Sequence, residues 1–210
     1  MALEELEEGI LKTIEQGDAE ECKKLLEQFL KKGGDLLALI SRGTKLMQEL
    51  GQKFEKGEIY LPDVMMAAEA FSLLTEALKS QKGAKAPKAL GKVVLATVQG
   101  DVHDLGKNIV ATMLAAEGFD VVNLGRDVPA DTIVEAAVRE KADIVGTSAL
   151  MTTTVIEQKK VKEKLDKVGW KGYYFIGGGA TSDEWANEIG AIRGEDAIDA
   201  VKKAKKVMGV

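Results

Sequence analysis

One cysteine, one histidine, three prolines and 5% aromatic residues are all that the 210-residue chain holds of those types. The lone Cys22 rules out an intrachain disulfide and any metal cluster held by several thiolates, and it suits a reducing compartment. Basic residues are outnumbered, 29 against 34 acidic ones, leaving a formal charge of −5. The lysines are spread along helical faces, with no arginine-rich or aromatic-interleaved tract. That pattern argues against nucleic acid and against an anionic membrane as partners. No apolar run approaches the roughly 18 residues that cross a bilayer. The opening stretch MALEELEEGILKTIEQ is acidic and amphipathic, unlike a signal or transit peptide. What is present is an ordinary globular composition, 45% hydrophobic and 30% charged. It points to a soluble cytoplasmic protein with room for one large or two modest cores.

The chain changes its pattern partway along. Leu3, Leu6, Ile10 and Ile14 recur at three- and four-residue steps, the mark of a helix with one apolar face. Asp18 followed by Glu21 reads as a helix start, and Leu25, Leu26, Phe29 and Leu30 continue behind it. Gly33-Gly34 breaks that helix, Asp35 caps a third through Phe54, and Pro62 sits in the first turn of a fourth. Four short-looped helices predict a small antiparallel bundle. The segment Lys79 to Leu90, rich in Lys, Ala and Gly with Pro87, reads as a linker. We therefore expect a helical domain over 1–88 and a second domain over 89–210. In the second, short β-rich runs near Val93, Phe119, Ile144 and Tyr173, with a weak one near Ala191, alternate with helical stretches. That alternation predicts a doubly wound, flavodoxin- or Rossmann-like α/β domain on a five-stranded parallel sheet. Ligands of such sheets sit outside the carboxyl ends of the strands, so the residues following each strand decide the chemistry.

After the first strand comes Gln99-Gly100-Asp101-Val102-His103-Asp104-Leu105-Gly106. Asp101 is placed to bind one ring nitrogen of His103 and leave the other free as a metal ligand. Zinc needs three or four protein ligands, and one histidine with one remote cysteine does not supply them. A metal held by a single side chain must bring its other ligands along, as the metal of a macrocycle does. The third strand ends in Thr147-Ser148-Ala149-Leu150-Met151-Thr152-Thr153-Thr154. Taken alone, Ser148 could be a turn residue and the threonines caps of the next helix. The fourth strand ends in Gly177-Gly178-Gly179-Ala180. Taken alone this could be a phosphate loop, but neither a Walker A lysine nor a G-x-G-x-x-G spacing stands there. Three bare glycines leave wall space for something flat or long.

Together, Asp101-x-His103-x-x-Gly106, Ser148-x-Leu150 and Gly177-Gly178 resemble the motif of B12-binding domains. Leu124-Gly125-Arg126-Asp127-Val128-Pro129 also looks like that family, as does Tyr60-Leu61-Pro62-Asp63-Val64 in the helical half. The likeness spans essentially the whole chain. It is to corrinoid proteins of methanol, methylamine and methoxyarene methyltransferase systems, and to the cobalamin module of methionine synthase.

The resemblance implies a cobalamin or related corrinoid bound base-off, with His103 Nε2 as lower axial ligand to cobalt. It implies that Asp101 and Ser148 complete a hydrogen-bonded relay with His103. Val102, Asp104, Leu105, Ile109, Met151, Thr152 and Ala180 would help bind the cofactor, Gly106 would let the chain approach the corrin, and Ser148 and Leu150 would lie beside the cofactor's tail. Gly177, Gly178 and Gly179 would leave room for that tail. Leu61, Val64, Met65 and Ala68 would cover the upper face, or else serve as bundle core. The implied function is a methyl carrier in one-carbon metabolism. It would accept a methyl group on Co(I) from a substrate-specific methyltransferase and deliver it to a methyl-accepting one, with a reductive activator as a further partner. A B12-dependent sensor, or the small subunit of a mutase, remains the alternative. The chain has no region for a methyl-donor barrel of about 250 residues, so catalysis by this subunit alone is not expected.

Overall fold

The structure, a computed structural model, describes residues 2–80 and 89–210. The chain divides into two compact units. The first holds α1 (Leu3–Gln16), α2 (Ala19–Lys31), α3 (Leu36–Glu55) and α4 (Leu61–Ser80). Its helix starts follow the expected chemistry: Asp18 accepts the Glu21 N–H, and Asp35 accepts from Leu37 and Ala38. Pro62 is the second residue of α4, where its missing N–H costs nothing. The core is built from Leu6, Ile10 and Ile14 of α1, Leu25, Leu26 and Phe29 of α2, Leu39 and Met47 of α3, and Phe71 and Leu74 of α4. Gly43 of α3 has no side chain because the Phe71 ring takes the space; a Cβ there would lie 2.7 Å from it. The expected linker falls mostly on residues 81–88, outside the described residues, and its first two residues end α4.

The second unit carries β1 (Lys92–Thr97), β2 (Asp120–Asn123), β3 (Ile144–Ser148), β4 (Tyr173–Gly177) and β5 (Ile192–Arg193). Its helices are α5 (Leu105–Ala116), α6 (Ala130–Arg139), α7 (Ile156–Lys167), α8 (Asp183–Ile189) and α9 (Ala197–Met208). All five strands are parallel, in the order β2-β1-β3-β4-β5, as the alternating pattern predicts. The strand order reverses on either side of β1, so the crevice at the β1–β3 carboxyl ends is the topological switch point.

The period-two alternation of strand side chains separates the two faces. Val94, Ala96, Val145, Tyr174 and Ile176 pack with Ile133, Val161, Leu165 and Ile189 in a dense core. Burying one such aliphatic side chain fully contributes roughly 1.5–3 kcal/mol. The opposite face, bearing Val93, Leu95, Gly146 and Phe175, looks toward α5 and α9 and is not filled. A cavity of about 460 Å³ lies there. Among the described residues, no helix is long and apolar enough to cross a membrane.

Candidate functional site

The site starts where β1 runs out. Asp101 N–H donates to the Val98 carbonyl at 3.1 Å, closing a four-residue turn whose third residue, Gly100, has φ +80. Only a residue without a Cβ takes that angle freely, which explains the glycine. The turn delivers Asp101 into the interior, where its side chain is 0% exposed, and brings His103 to the surface with its side chain 49% exposed.

Five donors converge on the buried Asp101 carboxylate. Oδ1 accepts from the His103 backbone N–H at 3.0 Å and from His103 Nδ1 at 2.8 Å. Oδ2 accepts from Leu150 N–H at 2.8 Å, Met151 N–H at 3.3 Å and the Thr154 hydroxyl at 2.8 Å. Burial opposes the charge of Asp101. The His103 N–H, the Thr154 hydroxyl, the His103 ring and the Leu150 N–H outweigh it and hold the carboxyl well below the usual carboxylate range. An ionised carboxylate can only accept, so Nδ1 of the neutral imidazole carries the proton and Nε2 presents a lone pair. Val102 and Leu105, exposed by 56% and 70%, flank this imidazole, and exposed Leu150 lies beside Asp101. Exposed apolar side chains close in the chain to an imidazole with a lone pair to offer are of the residue types that a large apolar ligand could cover.

The cavity opens from the same strand ends. Gly106, Ile109, Ser148, Leu150, Gly177, Gly178 and Gly179 all line it, so these residues, predicted from separate segments, share one wall. Their glycines differ in what they do. Gly178 has φ +106, and a Cβ there would sit 2.2 Å from the Ala149 carbonyl oxygen, so the fold itself requires it. At Gly177 a Cβ would meet only the Gly194 carbonyl at 3.5 Å, and at Gly106 nothing within 4 Å. Neither is demanded by the packing of the chain. The space each preserves fits a bound group that passes close to the backbone.

Other predicted residues are placed differently. Met151 contributes only its N–H to Asp101. Ala180 donates its N–H to the Ala149 carbonyl at 3.4 Å, and Thr152 is exposed. The Asp104 carbonyl accepts from Asn108 N–H at the start of α5. Leu61 and Met65 belong to the helical unit, on α4, where Met65 is exposed and Leu61 half-buried. Val64, considered with them, is 1% exposed and serves as core.

Two expectations change. The threonines do not cap α7: its N-cap is Val155, without a side-chain cap bond, and the helix starts only at Ile156. Residues 151–155 form turns instead, because the Thr154 hydroxyl is committed to Asp101. Among the described residues, this hydroxyl holds the place that the resemblance gives to Ser148, which makes no hydrogen bond to Asp101. The signal for Thr154 was its position in the polar run after β3, where three adjacent threonines made the choice ambiguous.

Further polar residues brace the site. Gln158, wholly buried, donates to the carbonyls of Thr147 at 3.2 Å and Gly177 at 3.3 Å, tying the ends of β3 and β4 together. Its Oε1 accepts from Trp185 Nε1, and its own carbonyl accepts from Tyr174 Oη. It lies at helical spacing with Val161 and Leu165, so a polar residue on an apolar stripe was its sequence signal. Lys107 is 5% exposed, and its Nζ donates to the side-chain oxygens of Asn108 and Asn123. Burial lowers the Lys107 pKa, with Asp104 acting in the opposite sense. Among the described residues, no three or more His, Cys, Asp or Glu side chains gather into a metal-ligand group.

Comparison with known proteins gives this geometry its family. A B12 binding domain matches residues 91–202, and a second B12 binding domain matches residues 6–79. The chain is 43% identical to trimethylamine corrinoid protein 1 of Methanosarcina acetivorans, over 91% of each chain. It is 41% identical to a corrinoid protein of Desulfitobacterium hafniense, over 99% of this chain and 97% of the other. Among solved structures, the methanol:cobalamin methyltransferase complex of Methanosarcina barkeri matches with a TM-score of 0.89 at 37% identity. That match covers 98% of this chain and 80% of the other. The monomethylamine corrinoid protein of Methanosarcina barkeri matches with a TM-score of 0.55 at 33% identity, over 98% and 100%. By motif, fold and relatives, the chain belongs to the family of B12-binding corrinoid proteins.

Proposed function

We propose that this chain is the corrinoid-bound methyl carrier of a methyltransferase system, with the cofactor held base-off and His103 as the lower ligand of its cobalt. The observation that carries the reading is the His103 imidazole: Nδ1 is locked 2.8 Å from a buried carboxylate, and the ring stands half-exposed beside open Val102 and Leu105. Bound there, the corrinoid supplies a cobalt centre able to take up a methyl group and to release it again.

The chain's own residues do the rest. Asp101 fixes the imidazole tautomer and supports positive charge on the ring. Thr154, Leu150 and Met151 keep Asp101 ionised, so its Oδ1 stays an acceptor for the Nδ1 proton and the ring is held in one orientation. The cavity between the sheet, α5 and α9 would hold the displaced nucleotide tail, past Gly106, Ser148 and Gly177. The domain limits we propose are 1–88 for the helical part and 89–210 for the part that holds the cofactor. We place the protein in the cytoplasm, working between a substrate-specific methyltransferase and a methyl-accepting one, with a reductive activator. The methyltransferase complex among its structural relatives supports the first of these partners.

The test is the visible spectrum of protein reconstituted with cobalamin, before and after His103→Ala. Wild type should give the spectrum of nitrogen-ligated, base-off cobalt, and the variant should lose the nitrogen ligand. A wild-type protein that takes up no corrinoid would refute the proposal.

A further inference from the structure

We infer that Asp127 is a positioning residue for His103, stapling the turn that presents the imidazole. The inference rests on the reading of His103 as cobalt ligand. Asp127 lies in the β2–α6 loop, exposed, at φ +55, a left-handed angle that few residues with a Cβ adopt and that Asp tolerates better than most. A strained backbone that persists on a surface loop is held there by its contacts.

Here that angle lets one residue grip the chain twice. The Asp127 N–H donates to the Asp101 carbonyl at 3.0 Å, and its Oδ1 accepts the Gly100 N–H at 2.7 Å. Gly100 and Asp101 are the last two residues of the turn that leads to His103, so main chain and side chain together fix its exit. The staple is anchored on both sides. Thr97 N–H donates to the Gly125 carbonyl at 2.9 Å, Val128 N–H donates to Thr97 at 3.0 Å, and Val98 pairs with Val128 as a parallel bridge. The fold of β1 therefore does not depend on the carboxylate; the direction of the turn beyond it does. Without the Asp127 carboxylate, Gly100 N–H turns to water, and the segment carrying His103 gains freedom that cobalt ligation must then remove.

Asp127→Gly keeps the backbone angle and removes the acceptor, while Asp127→Asn keeps both. In corrinoid-loaded protein, Asp127→Gly should weaken His103 ligation of the Co(II) form about fivefold, the net worth of one ordinary exposed hydrogen bond. At 59 mV per tenfold for one electron, this raises the Co(II)/Co(I) midpoint by about 40 mV. Asp127→Asn should stay at the wild-type value. In corrinoid-free protein, amide exchange at Gly100 should quicken in Asp127→Gly, with Thr97 and Val128 unchanged.

A wild-type midpoint in Asp127→Gly, an equal shift in Asp127→Asn, or unaltered Gly100 exchange would each overturn the inference, as would lost protection along β1. If wild type lacks the three-line nitrogen splitting in its Co(II) paramagnetic resonance spectrum, or His103→Ala retains it, the His103 reading itself falls. If those two proteins behave as expected and only the Asp127 arm fails, the staple alone is wrong.

Discussion

Gly177→Ala should strengthen the empty protein and weaken it as a corrinoid binder, and the opposite signs separate a glycine kept for the ligand from one kept for the fold. The added Cβ meets only the Gly194 carbonyl, at 3.5 Å, which is ordinary contact, and the position is not among those with positive φ. Replacing glycine at such a site reduces the freedom of the unfolded chain and stabilises by roughly 0.4–1 kcal/mol. For a chain of this size that is a rise in Tm of about 1–4 °C. When the cavity of about 460 Å³ is filled, the same methyl group becomes an overpacked contact. Such contacts cost roughly 1–3 kcal/mol, or about 5- to 150-fold in affinity.

The assay is thermal unfolding of corrinoid-free protein beside spectroscopic titration with cobalamin and with cobinamide, which lacks the nucleotide tail. Cobalamin binding should weaken and cobinamide binding should not. Gly178→Ala serves as the contrast, because its Cβ would strike the Ala149 backbone and unfolding should come earlier. Unchanged cobalamin affinity in Gly177→Ala, or equal losses for both corrinoids, would refute the reasoning that the tail passes this residue.

Asp101→Asn should remove an acid-dependent part of the stability. The folded carboxyl lies below its ordinary value, so its contribution is complete above about pH 4 and is lost as pH falls through the depressed folded value. Urea titrations should show a gap between wild type and variant that is constant near neutrality and narrows in acid; a gap independent of pH would contradict the assignment. Thr154→Val removes one of the three donors to Oδ2 and should cost about 2 kcal/mol, with Thr154→Ser close to wild type. If the valine variant is as stable as the serine one, the hydroxyl is not holding the carboxylate. Gly43→Ala puts a Cβ 2.7 Å from the Phe71 ring, and this overpacking should outweigh the gain in helix propensity by about 1 kcal/mol. Calorimetry that showed a higher melting temperature would mean the ring moves aside freely.

Much of this protein could be read from residue order alone. Helical periodicity in the first half and alternation of short apolar strands with helices in the second are local patterns, and local sterics and burial enforce them. His103, Asp101 and Gly106 lie within six residues of one another, so their association is likewise a property of one short segment. The two-residue β5 was the weakest strand signal, because an edge strand that short has almost no period to show.

The rest required the folded chain. Thr154 and Asp127 lie 53 and 26 residues from the Asp101 carboxylate and the Asp101 carbonyl that they hold, and their own neighbourhoods do not say which group each will reach. Gln158 joins two strand ends that meet only when β3 and β4 pair. Gly106, Gly177 and Gly178 look alike as letters, yet only the positions of surrounding atoms show that Gly178 serves the fold and the other two leave space. Sequence determined the elements and the residue types at the strand ends, because those depend on local propensity and period. Tertiary structure decided which donors reach the buried carboxylate and which glycines face a cavity, because those depend on distances between segments far apart in the chain.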